Sequence, residues 1–295
     1  MADDALFRGL LKSPAIRFSF VEASGLCAEG IRIHDADPVG GKIFAEALTV
    51  GALLAVLLEG DERYSLRFGY TGAVGTLTVE AGADGAVRGI IARPHLADGP
   101  VDADTLFGAG DATVAFVKAK EGKVLNSGQI RSALASPAAD AGLFLSISDQ
   151  IETEIVTASV FRPDPAAPVE LAAGLMVQAM PGCDLGVFTQ VREKLHRPEA
   201  LALLADAELP PEAKIRRLLD FAGCDGGEAT IVPAGRPEYR CRCSRDGMKG
   251  AMLVLGRDEL DKLFAENPRP AVSCGFCRRS YRFGREDFAA PKIDG

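Results

Sequence analysis

Apolar and polar positions fall into two regimes along the 295-residue chain. Over residues 1–182, short alternating runs dominate. "RFSFVEASG" (Arg17–Gly25) alternates as a strand does and ends in turn residues. "GKIFAEALTVGALLAVLLEG" (Gly41–Gly60) has the length and Ala/Leu content of a buried helix closed by glycine. "YSLRFGY" and "VGTLTVEAGADGAVRGIIARP" alternate again, and the "GADG" between Glu80 and Ala86 supplies a hairpin turn with positive φ. "ATVAFVKAKEGKVLNSG" repeats strand, turn and strand. "LFLSISDQIETEIVTASVF" reads as a helix end entering a strand, and "AAGLMVQAMPG" (Ala172–Gly182) as a last strand stopped by proline.

Beyond residue 182 the periodicity changes. Residues 183–235 read as short helices broken by Pro198, Pro210 and Pro211. In "PPEAKIRRLLDFAG", Ile215, Leu218, Leu219 and Ala222 share one face between an opening proline and a closing glycine. A stripe on so little mass must borrow its partner surface from a neighbouring domain. "VPAGRPE" (Val232–Glu238) reads as a loop. Residues 236–295 form a last small unit with helices near Met248–Leu255 and Asp258–Phe264. The predicted class is α+β: a mixed α/β domain at 1–182, a helical linker at 183–235 and a small C-terminal domain at 236–295. A unit of about 60 residues buries too little to be stable alone, so a staple is expected.

Composition narrows the functional classes. With 47% hydrophobic and 25% charged residues, the chain is globular and not disordered. The longest apolar run, Val50–Leu58, is well short of the ~20 residues of a membrane span. "MADDALFRGLLKS" lacks a signal-peptide core, which predicts a cytosolic chain with reduced thiols. The net charge of -8 argues against a general nucleic-acid binder. Yet 12 Lys/Arg against 6 Asp/Glu between Arg236 and Arg285 make the last unit locally basic. A zinc-ribbon nucleic-acid module is therefore the alternative reading of that unit.

The staple is found in "YRCRCSRDGMKG" and "SCGFCRRSYRF", where Cys241 and Cys243 form C-x-C and Cys274 and Cys277 form C-x-x-C. Zinc takes four tetrahedral ligands, and thiolates at about 2.3 Å place neighbouring sulfurs roughly 3.8 Å apart. Both pairs can reach that spacing, whereas His34, His95 and His196 lie far off in sequence. Arg240, Arg242, Arg245, Arg278 and Arg279 would stabilise the thiolates. Tyr239, Phe276, Tyr281 and Phe283 are expected to pack around the metal. C-x-C is also close enough to oxidise to a small, labile disulfide. Zinc binding in small modules is folding free energy, about 10–16 kcal/mol, so oxidative loss of the metal would unfold the unit. "CGFC" without a βαβ context does not read as a thiol oxidoreductase. The sequence holds no phosphate loop, HExxH or nucleophile elbow, so no enzyme is expected.

The block "EYRCRCSRDGMKGAMLVLGRDELDKLF…VSCGFCRRSYRF" resembles the hallmark of the 33 kDa heat shock protein family, redox-regulated holdase chaperones. "GLMVQAMPG", "SISDQIET" and "GAVRGIIARP" resemble further family segments in the same order. The aromatic residues usual before the Ser-x-Gln segment are reduced to Phe144, and Cys27, Cys183 and Cys224 are additional. Cys224 reads as a passive small residue. The resemblance implies a chaperone held inactive by one zinc ion on reduced Cys241, Cys243, Cys274 and Cys277. It implies activation through Cys241–Cys243 and Cys274–Cys277 disulfides, zinc release and unfolding of the last unit and linker. Unfolding client proteins would then bind through surfaces that include Ile215, Leu218 and Leu219, with a homodimer on oxidation.

Overall fold

The computed structural model describes residues 4–110, 112–164 and 167–288. The class is α+β, and the chain divides into two compact units between Arg240 and Cys241.

The larger unit begins with β1 (Ala5–Leu11), β2 (Ile16–Glu22), α1 (Ser24–His34) and α2 (Pro38–Leu54), the last prolonged by a 3-10 turn to Leu57. Next come β3 (Glu62–Gly69), β4 (Thr76–Gly82), β5 (Ala86–Ile91), the short α3 (Ala103–Phe107), β6 (Ala112–Lys120) and β7 (Lys123–Ser132). Helix α4 (Pro137–Ser148) leads into β8 (Thr153–Phe161) and β9 (Val169–Ala179). Helices α5 (Leu185–Leu195), α6 (Pro198–Leu204) and α7 (Pro211–Ala222) precede β10 (Thr230–Gly235) and β11 (Glu238–Tyr239).

Two sheets result, ordered β10-β1-β2-β9-β8 and β11-β5-β4-β3-β6-β7, antiparallel except for the parallel β11–β5 pair. Helix α2 is apolar over most of its surface because it packs against strands of both sheets. Phe44, Leu48, Val50 and Leu53 are fully buried, as expected of such a helix. Gly51 permits the approach, since a Cβ there would sit 2.5 Å from Val79 Cγ1. With its 3-10 extension the helix reaches 20 residues, long and apolar enough to cross a membrane. Its 78% burial is that of a core helix instead. Asp37 caps it, accepting from Gly40 N–H at 2.7 Å.

The "GADG" turn joins β4 to β5 with Gly85 at φ 75°, and Glu121–Gly122 turns β6 into β7, both as expected. Strand β2 departs from its predicted alternation, with six of seven residues buried. The reason is that both faces of its sheet are covered: Val21 faces α2, while Ile16, Phe18 and Phe20 face α5–α7. The turn expected after it is the start of α1, whose Gly25 and Leu26 N–H groups donate to Asp4 at 2.8 and 2.7 Å. Val232–Glu238 is likewise corrected from a loop to parts of two strands. Strand β10 completes the edge of β1 (Leu10↔Thr230, Arg8↔Val232), and at an edge Pro233 withholds no ladder hydrogen bond.

Pro198 and Pro211 open α6 and α7, as the breaks predicted. Together with α5, these helices lay Phe188, Val191, Leu195, Leu204, Ile215, Leu218 and Leu219 on Phe18, Phe20, Leu175 and Val177. The five-stranded sheet thus carries a separate apolar cluster on each face.

The smaller unit comprises α8 (Arg245–Leu253), α9 (Arg257–Glu266) and a hairpin of β12 (Ala271–Ser273) and β13 (Ser280–Arg282). Ser244 caps α8 by accepting from Gly247 N–H at 3.1 Å. Among the described residues, its apolar core is four buried side chains: Met252, Leu260, Phe264 and Phe283. The sparse core is the expected one for a unit of this size.

Candidate metal centre

Cys241 and Cys243 lie in irregular chain just before α8, on either side of Arg242. Cys274 and Cys277 come from the β12–β13 turn. Cys274 N–H donates to the Arg279 carbonyl and Arg278 N–H to the Cys274 carbonyl, each at 2.9 Å. The left-handed residue of this turn is Arg278, at φ 58°. Together the segments bring the four Sγ atoms within 4.8 Å of one another. Two contacts run across the pairs, Cys241–Cys274 at 3.7 Å and Cys243–Cys277 at 3.4 Å. Those spacings approach the roughly 3.8 Å between thiolates around a tetrahedral zinc. The four thiols could hold a metal ion, and a four-sulfur set favours a soft, tetrahedral one.

Tyr281 supplies a contact that the sequence reading had placed only as packing. Its hydroxyl lies 3.2 Å from Cys243 Sγ and 3.2 Å from the Cys243 carbonyl, to which it donates. Burial opposes ionisation of Cys243, but Tyr281 and the neighbouring thiols outweigh it and bring the thiol down to about 7. Burial and the thiolate at Cys243 push Cys277 up to about 12.

The arginines sort differently from expectation. Arg240 turns to Glu238 at 2.6 Å and Asp84 at 3.1 Å in the larger unit, and Arg245 turns to Asp287 at 2.9 Å. Carboxylates within reach satisfy these cations better than polarisable sulfur does. Arg279 does feel the site: its pKa is raised by Tyr281, then by the charge of Cys243 and Cys277. Tyr239 is also corrected, since its hydroxyl donates to the Gly89 carbonyl at 2.9 Å inside the larger unit. Phe283 packs in the small core against Phe288, with ring centroids 5.8 Å apart.

The other three cysteines are poor nucleophiles. Burial drives Cys27 up to about 12 and Cys224 up to about 11, and burial followed by Asp184 raises Cys183. The passive reading of Cys224 agrees with its burial. His34 is held by the Gly89 carbonyl at 2.9 Å, and His196 by Glu154 at 2.9 Å.

Ile215, Leu218 and Leu219 are all fully buried under α7. Polar contacts cross the same seam: Arg192 to Glu152 at 2.8 Å, His196 to Glu154, and Lys214 to Glu22 at 2.7 Å. Sequence reading missed these pairs, because each joins residues 40 or more apart.

The family model described as "Hsp33 protein" matches residues 4–284. The chain is 25% identical over 289 residues to the 33 kDa chaperonin of Geobacillus kaustophilus (strain HTA426), covering 96% of each. It is 28% identical over 274 residues to the 33 kDa chaperonin of Desulfotalea psychrophila, covering 90% of this chain and 89% of the relative. The crystal structure of the 33 kDa chaperonin (heat shock protein 33 homolog) from Thermotoga maritima superposes with a TM-score of 0.79 at 21% identity, over 97% of this chain and 96% of that one.

Proposed function

Because the chain belongs to the Hsp33 family, we propose that it is a holdase chaperone whose four-cysteine unit is a zinc-held redox switch. The observation that carries the reading is the convergence of Cys241, Cys243, Cys274 and Cys277 within 4.8 Å. When bound, zinc would supply the cross-link that the four-residue core of the small unit cannot replace.

Activation then follows from the chain's own residues. Each disulfide forms with loss of two protons and two electrons, and one peroxide accepts both pairs to give two waters. Bound to zinc, all four sulfurs would be thiolates, the form that attacks peroxide. The expected pairs are Cys241–Cys243 and Cys274–Cys277. Although Cys241 also touches Cys274 and Cys243 touches Cys277, bonds there would tie the two segments together. Closing loops of about 33 residues would stabilise the unit, whereas the short-range pairs free the segments from each other. Once the small unit unfolds, α5–α7 loosen, and the apolar face beneath them (Phe18, Phe20, Leu175, Val177) becomes available to unfolding clients, together with Ile215, Leu218 and Leu219. A reducing compartment such as the cytosol would keep the switch closed.

The test is to treat the zinc-loaded protein with peroxide at mild heat. Zinc release, measured with a chromogenic chelator, should coincide with suppression of client aggregation and with Cys241–Cys243 and Cys274–Cys277 linkages in peptide mapping. Equal suppression by the reduced, zinc-bound protein would defeat the proposal.

A further inference from the structure

Within the apolar seam between α7 and the five-stranded sheet sits one ion pair that a docking surface does not require. Lys214 Nζ lies 2.7 Å from Glu22 Oε1, with the lysine side chain fully buried and the glutamate 9% exposed. Lys214 falls in the stripe itself, one turn before Leu218, with its ammonium 6.0 Å from the centre of the Phe20 ring. Its partner lies 192 residues away on β2, so the pair spans the surface that opens if the linker leaves.

Burying both charges removes their hydration. Their attraction in the apolar seam repays that cost only in part. Two consequences oppose each other. Any docking of α7 that separates the pair strands a dry charge, so the pair selects one register. A hydrophobic pair of similar volume would hold the helix more tightly, because undocking restores water to both ions. We propose that Glu22–Lys214 is a release-setting lock: it fixes the register of α7 and keeps the docked linker weak enough to come away. The inference deepens the redox-switch reading and rests on it for its physiological role.

Hydrogen exchange at α7 amides in the reduced, zinc-loaded full-length protein measures linker opening without oxidant or client. It therefore reads the lock even if the chaperone reading fails. Lys214→Met and Glu22→Gln each strand one buried partner and should raise α7 opening on the order of 10²–10³-fold. The double variant Glu22→Leu/Lys214→Met should reverse the sign, lowering opening about tenfold or more below wild type. After oxidation it should still resist proteolysis between α5 and α7. Exchange in β4, on the far sheet, should not change. A double variant that opens as readily as the single ones would overturn the proposal, since the pair would then be a net source of docking strength. So would equal shifts in α7 and β4, which would make it ordinary core packing. If a single variant fails to fold, the double variant alone decides by its sign.

Discussion

Replacing Leu218 by alanine removes a fully buried side chain from the cluster that α7 shares with Phe20, Leu175 and Phe188. The site is walled by sheet on one side and by α5 and α6 beside it, so little collapse can refill the space. Leu→Ala in such a core costs about 3 kcal/mol or more. At 1.36 kcal/mol per tenfold, that raises the open fraction of the linker roughly 150-fold. The loss should fall on α7 and spare the inner core, because Leu218 belongs to the outer cluster only. Hydrogen exchange should therefore show faster α7 amides beside unchanged α2 amides. The reduced, zinc-loaded variant should suppress client aggregation measurably without oxidant. If α2 and α7 lose protection together, the linker is no separate unit. If α7 opens and clients remain unprotected, the seam is not the client surface.

Three further outcomes follow from the same geometry. Phe283→Ala should cost the small unit about 3–5 kcal/mol, a severe loss for a four-residue core, and should accelerate zinc loss to a chelator at constant pH. Tyr281→Phe removes a hydroxyl 3.2 Å from Cys243, so in the metal-free protein that thiol should alkylate more slowly at pH 7 and recover at higher pH. His196 has its pKa raised by the Glu154 hydrogen bond, against opposition from burial and Arg192. Its contribution to docking is complete below the ordinary imidazole value and is lost as pH rises through the raised one, so α5 protection should fall over that window and His196→Gln should flatten the profile.

What was legible in the sequence is what short spacing encodes. C-x-C and C-x-x-C announce a four-thiol centre because ligand geometry is satisfied within one turn of chain. The α7 stripe and the "GADG" hairpin are local in the same sense. What escaped depends on distant partners. Strand β10 reads as a proline-rich loop until β1 offers it an edge. The start of α1 reads as a turn until Asp4, 21 residues back, caps it. Lys214 falls on the apolar face of α7 by its spacing, but the sequence does not name Glu22, the distant partner that makes its burial tolerable. The arginines near the cysteines read as counter-ions for sulfur, but Asp84, Glu238 and Asp287 claim two of them.

The five-stranded sheet separates its two apolar clusters as a watertight bulkhead separates compartments. Flooding the outer one wets side chains on a single face of β2 and β9, while the ladder hydrogen bonds and the packing around α2 stay dry. An opened molecule therefore keeps a folded template on which α5–α7 can settle again. In the proposed cycle, re-docking the linker would be a local repair, while the small unit would still have to refold around its metal.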